Sequence, residues 1–332
     1  MPPATTVATP IAHLVGPGKL RVINGRLAFS TAAGQPLRLD LRRLNEVYCY
    51  GKVTLTDEAL RLLAAHHVEV ALLSYHGLRC RGRLVQQTSS STALRLIQYH
   101  LLHHPPARLA LARQLVQQKI TSQQQAARHY QRQGQKMAGP VRRQLGELLR
   151  RAEQAETLDQ LRGLEGAASA AWFGLLAQLL RPGAGFPGRQ RRPPRDPVNA
   201  LLSLGYTLLL NRLIARIQAR GLEPNLGALH DYAPGRPSLA CDLIEPWRVP
   251  LVDRWVVAQW NQGAFAPEHF RHDPQHGVRL QEKHFPRALT NWEQFLQDKK
   301  SDTSLQNTID QFCRRLREMA QLLPQPESAP SG

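Results

Sequence analysis

Apolar and polar positions change their period partway along the chain. From residue 11 to about residue 85 they follow the alternation and short apolar runs of β-strands; beyond residue 92 they recur at helical spacing. The stretch KLRVINGRLAFS holds a strand-type run broken at Asn24–Gly25, a dipeptide that tolerates the positive φ of a tight hairpin turn. PLRLDLRRL alternates as a half-buried strand does, and EVYCYGKVTL carries β-branched and aromatic residues ahead of its turn. Thr56 is placed to cap a short helix whose apolar side is Leu60, Leu62, Leu63 and Ala64. VEVALL then reads as a buried strand, and GLRCRGRLV as one or two more.

Helical spacing takes over in TALRLIQYHLLHH. A long helix follows from Pro105, because proline fits the first helical turn. Residues 141–154 and 157–180 continue in the same period. RPGAGFPGRQRRPPRDP, dense in Pro, Gly and Arg, predicts a mobile loop. Helix resumes after Asp196, which caps with Pro197 at the first position, and ends at Gly221. The expected fold class is therefore α+β: a small N-terminal β-sheet domain over 1–86, a linker at 87–92, a larger all-α catalytic domain over 93–322 and a disordered tail at 323–332. Residues 1–10 are expected to be frayed.

Charge narrows the function. The 332 residues carry 43 Lys+Arg against 25 Asp+Glu, a net of +18, which attracts polyanions and favours nucleic acid as a partner. No run of eighteen apolar residues predicts a membrane span, and the first nine residues lack the pattern of a signal peptide, so a cytoplasmic location is expected. The four cysteines, Cys49, Cys80, Cys241 and Cys313, form no CxxC knuckle and read as reduced thiols.

Candidate chemistry concentrates between residues 221 and 253. His230 follows a glycine-containing turn, and Asp242 and Glu245 are spaced i, i+3, which puts two carboxylates on one face of a helical turn. Pro246 suits the first turn of a helix, where a carboxylate is held as an anion and is ready for a cation. Oxygen donors with one imidazole suit Mg²⁺ or Mn²⁺. The same residues also read as a solvated acidic face and a capping histidine. Arg236 and Arg248 flank them as contacts either for a phosphate or for a neighbouring carboxylate, while Tyr206 reads as core. Arg189, Arg191, Arg192 and Arg195 form either a DNA-backbone clamp or a solvated basic loop.

The segment NALLSLGYTLLLNRLIARIQARGLEPNLGALHDYAPGRPSLACDLIEPWRVPLVDRWV resembles the core of the CRISPR adaptation integrase family, the larger of the two core spacer-acquisition proteins. The elements that carry the likeness are Asn199, Gly205, Tyr206, Gly221, Leu222, Pro224, Gly227, His230, Gly235, Arg236, Ser238, Asp242, Glu245, Arg248 and Asp253. Upstream, LRGLEGAASAAWF resembles the family's first acidic motif and brings in Glu165. The likeness runs over residues 18–295; a departure is Thr121–Ser122–Gln123, where the family often has Asn-Gln after Lys-Ile.

The resemblance implies a divalent-metal DNA endonuclease and integrase, in which a fragment's 3′-OH attacks a phosphodiester of a CRISPR repeat. It implies Glu165, His230 and Glu245 as ligands of Mg²⁺ or Mn²⁺, with Asp242 as a further catalytic carboxylate behind the ligands or on the substrate side. It also implies double-stranded DNA as partner, a homodimer, and a small ferredoxin-like companion protein bridging two dimers into a heterohexamer. A stand-alone nuclease for branched or damaged DNA, and a non-catalytic DNA scaffold, are the competing readings; the intact acidic and histidine set speaks against the scaffold.

Overall fold

In the computed structural model, Asn24 and Gly25 both take positive φ, 49° and 70°, and turn β3 (Gly18–Ile23) back into β4 (Arg26–Ser30) as the dipeptide predicts. The structure describes residues 5–322 except 9–10, 33, 78, 85–91, 191–192, 276 and 299–300. The expected linker at 87–92 and the tail at 323–332 thus lie, apart from Thr92, outside the described residues. The described chain is α+β and groups into two compact units, the first of residues 1–87, 173–211 and 248–301, the second of 88–172, 212–247 and 302–332.

The first unit holds two sheets. One is five-stranded, in the order β1 (Thr5–Ala8), β2 (Ile11–Val15), β6 (Glu46–Tyr50), β8 (Glu69–Leu73), β9 (Cys80–Leu84). Its three inner strands are parallel and its two edges antiparallel. The other is four-stranded, with β5 (Leu37–Arg38), β4, β3 and β7 (Val53–Leu55) in that order. Leu14, Leu20, Leu27, Phe29, Val47, Leu63 and Val70 pack together as their core. Leu63 comes from α1 (Asp57–Ala65), which Thr56 caps by accepting from the Ala59 N–H at 3.3 Å.

Two expectations change here. Residues 5–8, expected to be frayed, pair with β2 as an edge strand. PLRLDLRRL yields only the two residues of β5, because Asp40 accepts the Arg42 N–H at 3.2 Å and winds Leu41–Arg43 into a 3₁₀ turn. A short polar side chain competes with the strand ladder in this way. The unit also contains α8 (Arg254–Asn261), the hairpin of β10 (Phe270–Asp273) and β11 (Gly277–Leu280), and α9 (Phe285–Asp298). Helix α9 lies on the five-stranded sheet: buried Glu293 bonds His13 Nε2 at 2.9 Å, His13 Nδ1 meets the Tyr50 hydroxyl at 2.9 Å, and Phe285 stands edge-on to Tyr50.

The second unit is built around α3 (Pro105–Arg132), which opens with two prolines and folds back against α4 (Ala138–Glu153). Helix α2 (Thr92–His103) precedes it; α5 (Leu158–Leu179) contributes up to Trp172, and α6 (Pro197–Ala219) from Arg212 onward. Asp196 caps α6 through the Asn199 N–H at 2.8 Å, as expected. Helix α6 is long and apolar enough to cross a membrane, and 72% of its most apolar window is buried within the protein. After a loop come α7 (Ser238–Leu243) and a 3₁₀ turn at Glu245–Trp247; the chain then re-enters the first unit through a widened π turn at Arg248–Asp253. Pro246 and Pro250 cannot donate the N–H bonds of a continuous α-helix, so the backbone leaves α geometry there.

Candidate active site

Helix α3 buries Leu115, Val116, Lys119, Ile120 and Gln123, so a lysine lies on its apolar face. A buried ammonium needs a partner. Lys119 Nζ has two: it donates to Glu165 Oε1 on α5 and, at 2.6 Å, to Glu245 Oε2 at the start of the 3₁₀ turn. Ser169, one turn on in α5, also donates to Glu165 Oε1 at 3.1 Å. Glu245 is 3% exposed as a side chain and Glu165 22%, so the pair opens toward solvent on the Glu165 side.

Asp242 is fully buried on α7. Its Oδ2 accepts the backbone N–H groups of Ala228 and Leu229 at 2.6 and 3.0 Å, and its Oδ1 accepts that of His230 at 3.1 Å. Oδ1 also meets His230 Nδ1 at 2.6 Å. A carboxylate only accepts, so Nδ1 donates to it, and Nε2 is the ring nitrogen that Asp242 does not engage. A side chain at Gly227 would put Cβ 2.6 Å from Asp242 Oδ2 and 2.8 Å from the Ser238 backbone, so this close approach requires glycine.

Arginines on two helices clamp the loop that carries His230. Arg108 of α3 donates to the Ala228 carbonyl at 2.9 Å, and Arg162 of α5 donates twice to the Leu229 carbonyl, at 3.1 and 2.9 Å. Both also bond Asp231, each at 2.6 Å. The Arg108 bond, then the Arg162 bond, hold the Asp231 carboxyl below its ordinary value of 3.8 against the opposing effect of partial burial. Arg162 precedes Glu165 by one helical turn, so α5 positions both Glu165 and the His230 loop.

The four acidic and histidine residues singled out in the sequence thus form two pairs, Glu165 with Glu245 on Lys119 and His230 with Asp242. Among the described residues, no three His, Cys, Asp or Glu side chains gather in a ready-made metal cluster. In donor chemistry the pairs fit a hard divalent ion: two carboxylates reach one cation position, and an imidazole tied back through Nδ1 offers Nε2 as a ligand when the ring is neutral. Lys119, Ser169, Arg108 and Arg162 were not anticipated. A signal existed for Lys119, the charged residue at a buried position of an amphipathic helix; Arg108 and Arg162 resemble any surface arginine in the sequence.

The candidate DNA-contact arginines differ in their local settings. Arg236 and Arg195 are exposed. Arg191 and Arg192 lie outside the described residues. Arg189 bonds Asn199 Oδ1 at 2.8 Å and Ser203 Oγ at 3.1 Å and lies 5.3 Å from the Tyr206 ring centre. Arg248 lies 4.6 Å from the same ring. Tyr206 is core, as read, and its hydroxyl bonds Asp253; burial, then the Asp253 charge, raise its pKa well above the ordinary value.

Residues 13–294 match the family model for CRISPR associated protein Cas1. The chain is 38% identical over 259 residues to CRISPR-associated endonuclease Cas1 1 of Thermus thermophilus, covering 77% of this chain and 78% of that one. It is 37% identical over 235 residues to CRISPR-associated endonuclease Cas1 of Methanopyrus kandleri, covering 69% of each. In fold it matches a CAS1 protein from Thermotoga maritima with a TM-score of 0.80 at 21% identity, over 92% of this chain and 97% of that one. It also matches a chain of a Cas6-RT-Cas1–Cas2 complex with a TM-score of 0.77 at 26% identity, over 95% of this chain and 36% of that one. The chain therefore belongs to the CRISPR associated protein Cas1 family.

Proposed function

We propose that this protein is a divalent-metal-dependent DNA endonuclease and integrase that joins the 3′-OH of short DNA fragments to phosphodiesters of a CRISPR array. The observation that carries the reading is the pair Glu165 and Glu245 meeting on one cation position, together with a histidine whose Nε2 is free to bind. The curated relatives are named endonucleases, and their similarity spans most of the chain. Bound Mg²⁺ or Mn²⁺ would neutralise charge building on the phosphodiester and ease deprotonation of the attacking hydroxyl.

The chain's own groups prepare that chemistry. Glu165, Glu245 and His230 Nε2 would hold the ion, and Asp242 keeps the imidazole in the tautomer that binds it. Arg108 and Arg162 hold the loop still. With water in place of the 3′-OH the same groups perform hydrolysis. Joining two fragment ends to two target strands calls for two sites at a fixed separation, which supports a homodimer acting with a Cas2-type companion; one structural neighbour is part of a Cas1–Cas2 complex.

The test is Mn²⁺ binding and strand transfer by the full chain with Glu165→Ala, Glu245→Ala and His230→Ala singly. Each is expected to weaken Mn²⁺ binding and to lower strand transfer by at least about 100-fold. Near-normal activity in Glu165→Ala or His230→Ala sinks the assignment. Hydrolysis without strand transfer in the unaltered protein favours the stand-alone nuclease.

A further inference from the structure

Among the buried positions of α3, Lys119 is the single charged side chain. It is 4% exposed, and its ammonium bonds two carboxylates from different elements, Glu165 and Glu245. Those are the two glutamates assigned above to the metal. A divalent cation carries twice the charge of the ammonium and so attracts the two carboxylates more strongly. The neighbours of Lys119 on its own helix are apolar, Leu115, Val116 and Ile120, so the carboxylates are what draw the ammonium inward.

We propose that Lys119 is a built-in counter-cation, a positioning residue that holds Glu165 and Glu245 around one point in the metal-free protein and competes with the divalent ion for both. The competition sets how tightly the ion binds. Without the ammonium, the two carboxylates would lose the cation they share and repel each other more strongly, and the metal-free protein would be destabilised. With it, the site stays assembled while empty and yields to a stronger cation. This inference rests on the metal-dependent reading above.

The experiment compares the full chain with Lys119→Met, Lys119→Gln and Lys119→Arg. Free Mn²⁺ is followed by electron paramagnetic resonance during titration, and melting is recorded in EDTA and in Mn²⁺. Lys119→Met is expected to melt lower in EDTA, to gain more from Mn²⁺ than the unaltered protein does, and to bind Mn²⁺ about tenfold tighter because a like charge has left the site. Lys119→Gln, which keeps an N–H donor for the carboxylates, covers the case in which the Met variant does not fold without metal; it too should bind Mn²⁺ more tightly. Lys119→Arg keeps the charge and should bind no more tightly than the unaltered protein. A Lys119→Met or Lys119→Gln protein with unchanged or weaker Mn²⁺ affinity and an unchanged gain in melting temperature overturns the inference. Failure of the unaltered protein to bind Mn²⁺ overturns the metal-dependent reading itself.

Discussion

At the scale of single residues, the decisive group is one that never reaches solvent. Asp242 accepts from three consecutive backbone amides and from the His230 ring, so one carboxylate both shapes the loop and sets the tautomer of the histidine. Replacing it with asparagine keeps the size but leaves one acceptor oxygen for four donors. The buried donors left over make Asp242→Asn destabilising by about 3 kcal/mol, since bonds to charged groups are worth roughly 1.5–3 kcal/mol each and unmet buried donors cost about as much. Loss of the histidine's support should also lower strand transfer by about 10–100-fold. Urea unfolding and a strand-transfer assay on the same preparation check both. An Asp242→Asn protein with normal stability and normal activity would show that His230 is held by something else. This separates Asp242 from Glu165 and Glu245, although i, i+3 spacing alone suggests that Asp242 and Glu245 share one role. The two carboxylates turn to different groups: Asp242 to the loop amides, and Glu245 to Lys119.

At the scale of elements, the turn between β8 and β9 is tied to the hairpin strand β11, because His76 Nε2 donates to the Leu280 carbonyl at 3.0 Å. Burial lowers the pKa of His76 from 6.5, the Leu280 bond opposes that, and Arg279 adds to it. A depressed folded pKa means that the unfolded chain takes up the proton first as pH falls. The stability His76 contributes is therefore complete above 6.5 and is lost as pH drops toward its lower folded value. Melting temperature measured from about pH 7.5 to about pH 5 should fall less steeply for His76→Gln than for the unaltered protein. Parallel curves would mean that this tie carries no pH dependence.

Several elements were legible because local chemistry and tertiary packing agree. The Asn24–Gly25 hairpin, the Thr56 and Asp196 caps and the proline start of α3 all form as their sequences direct. The strand read into PLRLDLRRL fails because alternation cannot register a side chain such as Asp40 capturing its own backbone. The β10–β11 hairpin and the π turn at Arg248–Asp253 were not read, since neither has a strong periodic signature. In the site, the acidic and histidine residues could be named through the family motifs. The clamp by Arg108 and Arg162 could not, because it joins residues 120 or more positions apart in one case and 67 in the other through ordinary-looking side chains.

At the scale of the whole molecule, the five-stranded sheet of the first unit is covered by a helix from far along the chain, α9. Removing residues 1–86 would take His13 and Tyr50 away from α9 and leave Glu293 buried without its imidazole, so the sheets are part of that unit's core and cannot be trimmed away as an appendage. The net charge of +18 belongs to the same scale. If DNA is the partner, affinity must come largely from phosphate contacts, which release counterions and make binding fall steeply as salt rises. Duplex binding should weaken by about tenfold or more between roughly 50 and 200 mM salt, measured by fluorescence anisotropy. The arginines divide by what already holds them. Arg195 and Arg236 are exposed, so replacing either with alanine should reduce the slope of log affinity against log salt by about one if it touches a phosphate. Arg189 and Arg248 are spread over Tyr206, and Arg189 is also bonded to Asn199 and Ser203, so their loss should lower stability while leaving the slope nearly unchanged. A salt-independent affinity would overturn the electrostatic account. A slope that drops for Arg189→Ala or Arg248→Ala but not for Arg195→Ala or Arg236→Ala would move the DNA path onto the Tyr206 side of the first unit.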